Sequence, residues 1–169
     1  MIQQTVIAAL FAAATLAAAP VKVDLKDSMG MPVGSATITE AKKGGGVLIH
    51  MKLQGLPVGE HAAHIHTVAK CEGPAFTSAG GHFNPEMKMH GLDSENGPHA
   101  GDMVNFTVAG KKGKANVTLV NTRVTLDNGA HSVFTGGGTA LVIHAQKDDM
   151  HTDPAGNAGA RIACGTITK

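Results

Sequence analysis

An all-β sandwich or barrel is the fold class this sequence predicts. Three observations carry it: period-two alternation of apolar residues, glycine-rich turns between the alternating segments, and no sustained helical period after residue 20. The first alternating segment is Val21-Lys22-Val23-Asp24-Leu25-Lys26, with its apolar residues at odd positions. The second runs from Val47 to Leu53, where Val47, Ile49, Met51 and Leu53 are apolar and His50 and Lys52 polar. A third places Ala115, Val117 and Leu119 around Asn116 and Thr118. On a strand, residues two apart share a face, so each segment reads as a strand with one buried side. The turn signals are KKGGG, KKGK, DNG and TGGG. Leu141-Val142-Ile143 is a short continuous apolar run.

Composition limits the function classes. A chain of 169 residues suits one domain, and 43% hydrophobic residues supply a single core. Charged residues are only 16%, the formal net charge is +1, and Lys and Arg are scattered, which argues against a nucleic-acid partner. Residues 1–19 stand apart as an apolar, alanine-rich run ending in small residues, too short to favour a membrane span. They read as a signal peptide, leaving one domain over residues 20–169, a periplasmic or secreted location and no membrane partner after removal. The two cysteines, Cys71 and Cys164, suggest one disulfide in an exported chain, the alternative being two buried thiols. Closing so long a loop contributes roughly 4–5 kcal/mol on the chain-entropy account.

Two segments depart from the strand pattern. Residues 67–101 are long, polar and rich in Gly, Pro and His, and residues 145–160 carry Asp148, Asp149 and Asp153. An irregular segment of this length needs a function or a tether. The histidines supply a reason. The chain has ten. His64 and His66 are two apart, so on a strand both rings face the same way. H-x-H alone also occurs on plain polar strand faces. His82, His90 and His99 lie in or near the long segment, Asp102 follows it, and His144 ends the apolar run. Three histidines and a carboxylate suit a closed zinc site, and four imidazoles suit copper(II). Six histidines fill both sets only if one ring serves two cations.

The stretches GLPVGEHAAHIH, SAGGHFNP, HGLDSENGPHAGDMVNF, VIHAQKDD and GNAGARIACGTI, in this order, resemble the copper/zinc superoxide dismutases in their bacterial exported form. The resemblance runs from about Val21 to Ile167. It implies a Greek-key β-sandwich or flattened barrel of about eight antiparallel strands with two long functional loops. It implies an enzyme that converts superoxide to dioxygen and hydrogen peroxide, with copper (Cu) and zinc (Zn) as cofactors. Copper ligands fall on His64, His66, His82 and His144, and zinc ligands on His82, His90, His99 and Asp102. His82 is then the shared ring and takes a proton during turnover, and Arg161 is the cation that meets the anionic substrate. Asp148 is expected to join His64 to His90, and His61 to support the site through a backbone hydrogen bond. The resemblance also pairs Cys71 with Cys164. Homodimers occur among such proteins, so a homodimer is a partner the resemblance allows.

This sequence departs from the family pattern at Ala62 and Ala63, where glycine and a bulky apolar residue are common, and at Val58, where proline is frequent. The segment from Ala145 to Gly156 lacks the charge run of animal relatives, so electrostatic steering does not carry over. His50, His131 and His151 match no motif and read as surface residues, and Met87 and Met89 as loop packing despite their affinity for copper(I). A secreted copper/zinc-binding or metal-delivery protein on the same fold is the competing reading. The presence of every ligand position and of Arg161 favours the enzyme.

Overall fold

The computed structural model describes residues 18–42 and 45–169. The leader expected over residues 1–19 therefore lies outside the described residues, apart from Ala18 and Ala19, and so do Lys43 and Gly44 of the first glycine-rich turn. No helix among the described residues is long and apolar enough to cross a membrane.

Nine strands follow one another: β1 (Val21–Asp27), β2 (Pro32–Glu40), β3 (Val47–Leu53), β4 (Gly59–His61), β5 (Ala63–His66), β6 (Phe106–Val108), β7 (Ala115–Asn121), β8 (Thr139–His144) and β9 (Arg161–Ile167). The expected number was about eight. The extra strand arises because the run from Gly59 to His66 breaks at Ala62, whose N–H donates to Gln146 and whose carbonyl accepts from His144. Among the described residues the only helical turns are short 3-10 turns at Thr77–Ala79 and Thr135–Gly137.

Seven strands form one curled antiparallel sheet in the order β5-β8-β9-β1-β2-β3-β7, and β4 pairs with β6 in a second, two-stranded sheet. Because β4 runs on into β5, and β6 turns into β7 through the Ala109–Lys114 bridge, the small sheet spans the gap between the two outer strands of the large one. The chain crosses an end of the cylinder twice, between β3 and β4 and between β7 and β8. That is the Greek-key wrapping the resemblance implies.

The three segments read from alternation are strands with the predicted faces inward. Val23 and Leu25 of β1, and Val47, Ile49, Met51 and Leu53 of β3, are buried in the core. In β7, Ala115 and Leu119 are buried, while Asn116, Thr118 and Val120 face solvent. Strand β8 is buried along its whole length. Its inner residues Leu141 and Ile143 join the barrel core, whereas Ala140 and Val142, with Cys164 beside Val142 on β9, lie outside under Phe76 and Ala79. This outer cover belongs to the long segment after β5, tied down by the Cys71–Cys164 disulfide. A strand covered on both sides needs no polar alternation, which is why the run 141–143 reads as uniformly apolar. Ala62 and Ala63 are fully buried, so the sites of their smaller side chains are closed to solvent.

Candidate metal centre

Strand β5 presents its histidines by simple alternation. Ala63 and Ile65 enter the core, and His64 and His66 point the other way, under the long segment. His144, at the end of β8, lies on the outer face with Val142 and Ala140. Opposite it stands Arg161 of β9, through an irregularity in the ladder: Ile143 pairs with Ala163, and His144 pairs with Arg161. Ile162 is the extra residue, and both Ile162 and Ala163 pack inward. Strict alternation from the inward Ala163 would turn Arg161 toward the core. The bulge inverts the phase and places Arg161 outside with His144.

The other donors come from the segment between β5 and β6. Residues 79–83 run along the free edge of β5: Val68 donates to Ala79, Thr67 to Gly81 and Phe83 to Ile65. This carries His82 across from His66. Gly80 has φ +77°, and a Cβ there would meet Thr67 Oγ1 at 2.6 Å, so the turn before His82 requires glycine. The Gly80 carbonyl then accepts from His66 Nδ1 at 2.9 Å and from Arg161 Nη2 at 2.7 Å. Arg161 Nη1 donates to the Phe76 carbonyl at 2.7 Å.

The side chains fall into two groups that share one ring. His64, His66, His82 and His144 form the first, and His82, His90, His99 and Asp102 the second, with the donor atoms of each group within 4.8 Å of one another. In the second group Asp102 Oδ1 lies 2.8 Å from His82 Nδ1, 3.2 Å from His90 Nδ1 and 3.4 Å from His99 Nδ1, and the His82 and His99 nitrogens are 3.4 Å apart. Four ligands about 2.05 Å from a tetrahedral zinc ion are separated by about 3.3 Å. The other oxygen, Oδ2, accepts from the backbone N–H of Gly91 and His99 and fixes the carboxylate.

Hydrogen bonds on the far side of His64, His66, His90 and His144 assign the tautomers of these rings. His64 Nε2 donates to Asp148 Oδ2 at 2.8 Å and His90 Nε2 to Asp148 Oδ1 at 3.0 Å, so one carboxylate joins the two groups. His144 Nδ1 donates to the Gly159 carbonyl at 3.3 Å. His66 and His144 thus turn lone pairs toward each other at Nε2, 3.4 Å apart. Buried His64 Nδ1, His82 Nε2 and His90 Nδ1 have no hydrogen-bond partner. Orphaned nitrogens in a polar, fully enclosed cluster are costly, and cations at the two centres would satisfy all of them. His82 differs from its neighbours in having both nitrogens aimed at a centre. The donor sets fit copper and zinc.

Electrostatics agree. Burial, with His82 adding to it, pushes His66 down to about 2. Burial and His64 push His144 down to about 3. Burial lowers His82 to about 4 against the opposing pull of Asp102. These rings are neutral at pH 7, the form that coordinates a metal. Burial opposes the charged form of Asp102 too, but the neighbouring imidazoles, His82 first, outweigh this and hold it well below the carboxylate range. At His90 burial is likewise outweighed, by Asp102 and Asp148, and its pKa rises to about 9, so this ring must give up a proton for a metal to bind.

His61 is buried and reaches the His144 carbonyl through Nδ1 and the Pro57 carbonyl through Nε2, both at 2.8 Å. His50 and His131 are partly exposed, His151 is exposed, and Met87 is 90% exposed, all outside both groups. Four contributors escaped the sequence reading. Asn105 exchanges two hydrogen bonds with the backbone of Asp148, at 2.8 and 2.9 Å. Asp153 accepts from the His90 N–H at 2.6 Å. Asn121 and Arg123 hold carbonyls of the segment that carries His99 and Asp102. An asparagine immediately before a strand is the one signal available for Asn105; nothing local distinguishes the rest.

Known proteins place this geometry. The family model described as copper/zinc superoxide dismutase (SODC) matches residues 33–167. A copper-zinc superoxide dismutase of Aquifex aeolicus is 48% identical over 146 residues, spanning 85% of this chain and 85% of that protein. One from Caulobacter vibrioides is 38% identical over 146 residues, 85% of this chain and 82% of its own. Among solved structures, a SOD-like protein from Bacillus subtilis superposes with a TM-score of 0.82 at 38% identity, covering 86% of this chain and 97% of that one. The Cu/Zn superoxide dismutase from Brucella abortus gives 0.69 at 26% identity, covering 88% and 99%. With its fold, its two histidine groups and these relatives in agreement, the chain belongs to the copper/zinc superoxide dismutase family, enzymes that use copper and zinc to dismute superoxide.

Proposed function

We propose that this chain dismutes superoxide with copper held by His64 Nδ1 and by Nε2 of His66, His82 and His144, and zinc held by Nδ1 of His82, His90 and His99 and by Asp102. The observation that carries this reading is His82, a ring with both nitrogens directed at centres and one of them, Nε2, buried without a partner. Bound copper would supply the alternating one-electron chemistry that takes one superoxide to dioxygen and a second to hydrogen peroxide.

The chain's own groups do the remaining work. Arg161 binds and orients the anion. Two of its donors hold the Phe76 and Gly80 carbonyls, which fixes the guanidinium, and the other N–H groups are left for a small anion. It makes no ion pair with a carboxylate among the described residues, so its charge is not cancelled locally. A depression of about 430 Å³ lined by Pro74, Ala75, Gly159, Ala160 and Arg161 admits the anion beside it. His82 takes up one proton at Nε2 and returns it to the reduced product, and water at the depression beside Arg161 supplies the second. The His82 ring would be kept in position by zinc bound at Nδ1, in the place of the present contact with Asp102. Buried neighbours exclude bulk water from the rings.

Residues 1–19 act as a leader that directs export to the periplasm or beyond. The Cys71–Cys164 disulfide supports this, since such bonds persist in oxidising compartments. The test of function is superoxide consumption by the purified protein with copper bound, after copper removal and after copper return. Activity that vanishes and reappears with copper is the expected result; a protein that binds both metals and consumes no superoxide is a metal carrier.

A further inference from the structure

Residues His99–Asp102 do more than carry two of the ligands proposed above for zinc. They strap one edge of the large sheet to the other. On the β5 side, Ile65 N–H donates to the Gly101 carbonyl at 3.0 Å, and Gly101 N–H donates to Phe83 at 2.8 Å. On the β7 side, fully buried Asn121, the last residue of that strand, donates from Nδ2 to the Ala100 carbonyl at 2.8 Å. Two residues on, Arg123 donates from Nε to the His99 carbonyl at 3.3 Å and from Nη2 to the Asp102 carbonyl. The Asn121 side-chain oxygen accepts the Arg123 N–H at 2.8 Å, which locks the two residues into one unit.

The position of Arg123 is unusual. It is half-buried, and it makes no ion pair among the described residues. A guanidinium in such a place loses hydration, so its retention requires strong local acceptors. The acceptors it has are the carbonyls of His99 and Asp102, two residues whose side chains must meet at one point; His99 Nδ1 and Asp102 Oδ1 are 3.4 Å apart. Turning either peptide plane would swing the attached side chain off that point. A planar fork bonded to both carbonyls holds the two planes in a fixed relation.

We infer that Asn121 and Arg123 are positioning residues for the zinc centre: they set the His99–Asp102 strap from the β7 edge and thereby govern how tightly zinc is retained. This rests on His82, His90, His99 and Asp102 being the zinc ligands. Neither residue hydrogen-bonds a metal-binding atom; both hold carbonyls of the strap that carries His99 and Asp102. Their effect therefore falls on zinc first.

The test uses the full chain loaded with both metals. Arg123→Met keeps the stem and removes the fork. The expected result is zinc transfer to a chromophoric chelator faster by about tenfold or more, with a shifted visible spectrum when cobalt(II) replaces zinc. The copper(II) EPR spectrum and the melting temperature of the metal-free protein stay at parental values. Arg123→Lys keeps the charge without the planar fork and leaves zinc release fast. Zinc release within twofold of the parent overturns the inference. So does equal weakening of copper and zinc retention with a lowered metal-free melting temperature, which marks a general structural residue. If Arg123→Met does not fold, Arg123→Gln carries the same readings. Asp102→Ala separates the two levels: retention of zinc at the parental rate by that variant removes the ligand assignment itself, whereas its loss beside an unaffected Arg123→Met removes only the positioning role.

Discussion

The two halves of the metal centre are built on different principles. The half proposed for copper stands on strands: His64 and His66 on β5 and His144 on β8 are held by ladder hydrogen bonds, with Arg161 opposite on β9. The half proposed for zinc stands on irregular chain: His90, His99 and Asp102 all lie between β5 and β6, and their placement depends on side chains elsewhere. Strand geometry aims a side chain through a repeating backbone. Irregular chain must be aimed residue by residue, which is the work of Asp148, Asp153, Asn105, Asn121 and Arg123. His82 belongs to both halves, a loop residue registered against β5.

Substitutions should separate the halves in a definite order. The largest effect is expected at the shared ring. His82→Ala should reduce superoxide consumption to background and weaken zinc retention as well; metal analysis and an activity assay on one preparation check this, and undisturbed zinc would show that the halves are independent. Next comes Asp148→Asn, which disturbs His64 and His90 together. An outer carboxylate of this kind is worth about 10–100-fold in metal affinity, and competition with chelators should show a loss for both metals. Arg161→Ala should slow turnover by about tenfold or more with both metals retained, a change confined to the copper half and visible only in kinetics. Gly156→Ala should act more mildly. A Cβ there would meet Asp148 Oδ1 at 1.8 Å and His90 Nε2 at 2.7 Å, so the loop must shift and loosen the bond to His90. Faster zinc release by a few-fold, with copper retention close to parental, is the expected outcome.

The disulfide adds a stability contrast. It pins the cover over the outer face of β8 and β9, next to the copper half. Cys71→Ser should lower unfolding free energy by roughly 2–5 kcal/mol, the range for removing a native bridge, with the loop-closure figure at its upper end, measured by denaturant titration of the metal-loaded protein. A far smaller loss would show that the metals already constrain this segment.

The difference between the halves also explains how much could be read in advance. Strands β1, β3 and β7 were legible because each buries one face, and period-two burial writes itself into the residues. Strand β2 was not singled out: its burial is broken, with Gly34 at φ +137° lying where a Cβ would strike the Lys52 carbonyl at 2.1 Å. His64 and His66 were legible as a same-face pair by the same periodicity. His82, His90, His99 and Asp102 could be collected by chemistry and by family resemblance, yet no spacing rule says that their nitrogens converge. The outward face of Arg161 contradicts simple alternation, and a one-residue bulge at Ile162 resolves it.

The residues alone determined the fold class, the strand faces and the inventory of donors, because these depend on local periodicity and on the chemistry of side chains. Tertiary structure decided which nitrogen of each ring is left bare, which carbonyls restrain Arg161, and that Asn121 and Arg123 brace a segment some twenty residues earlier in the chain. Those outcomes depend on hydrogen bonds between segments far apart in sequence, and such bonds leave no periodic trace in the chain that makes them.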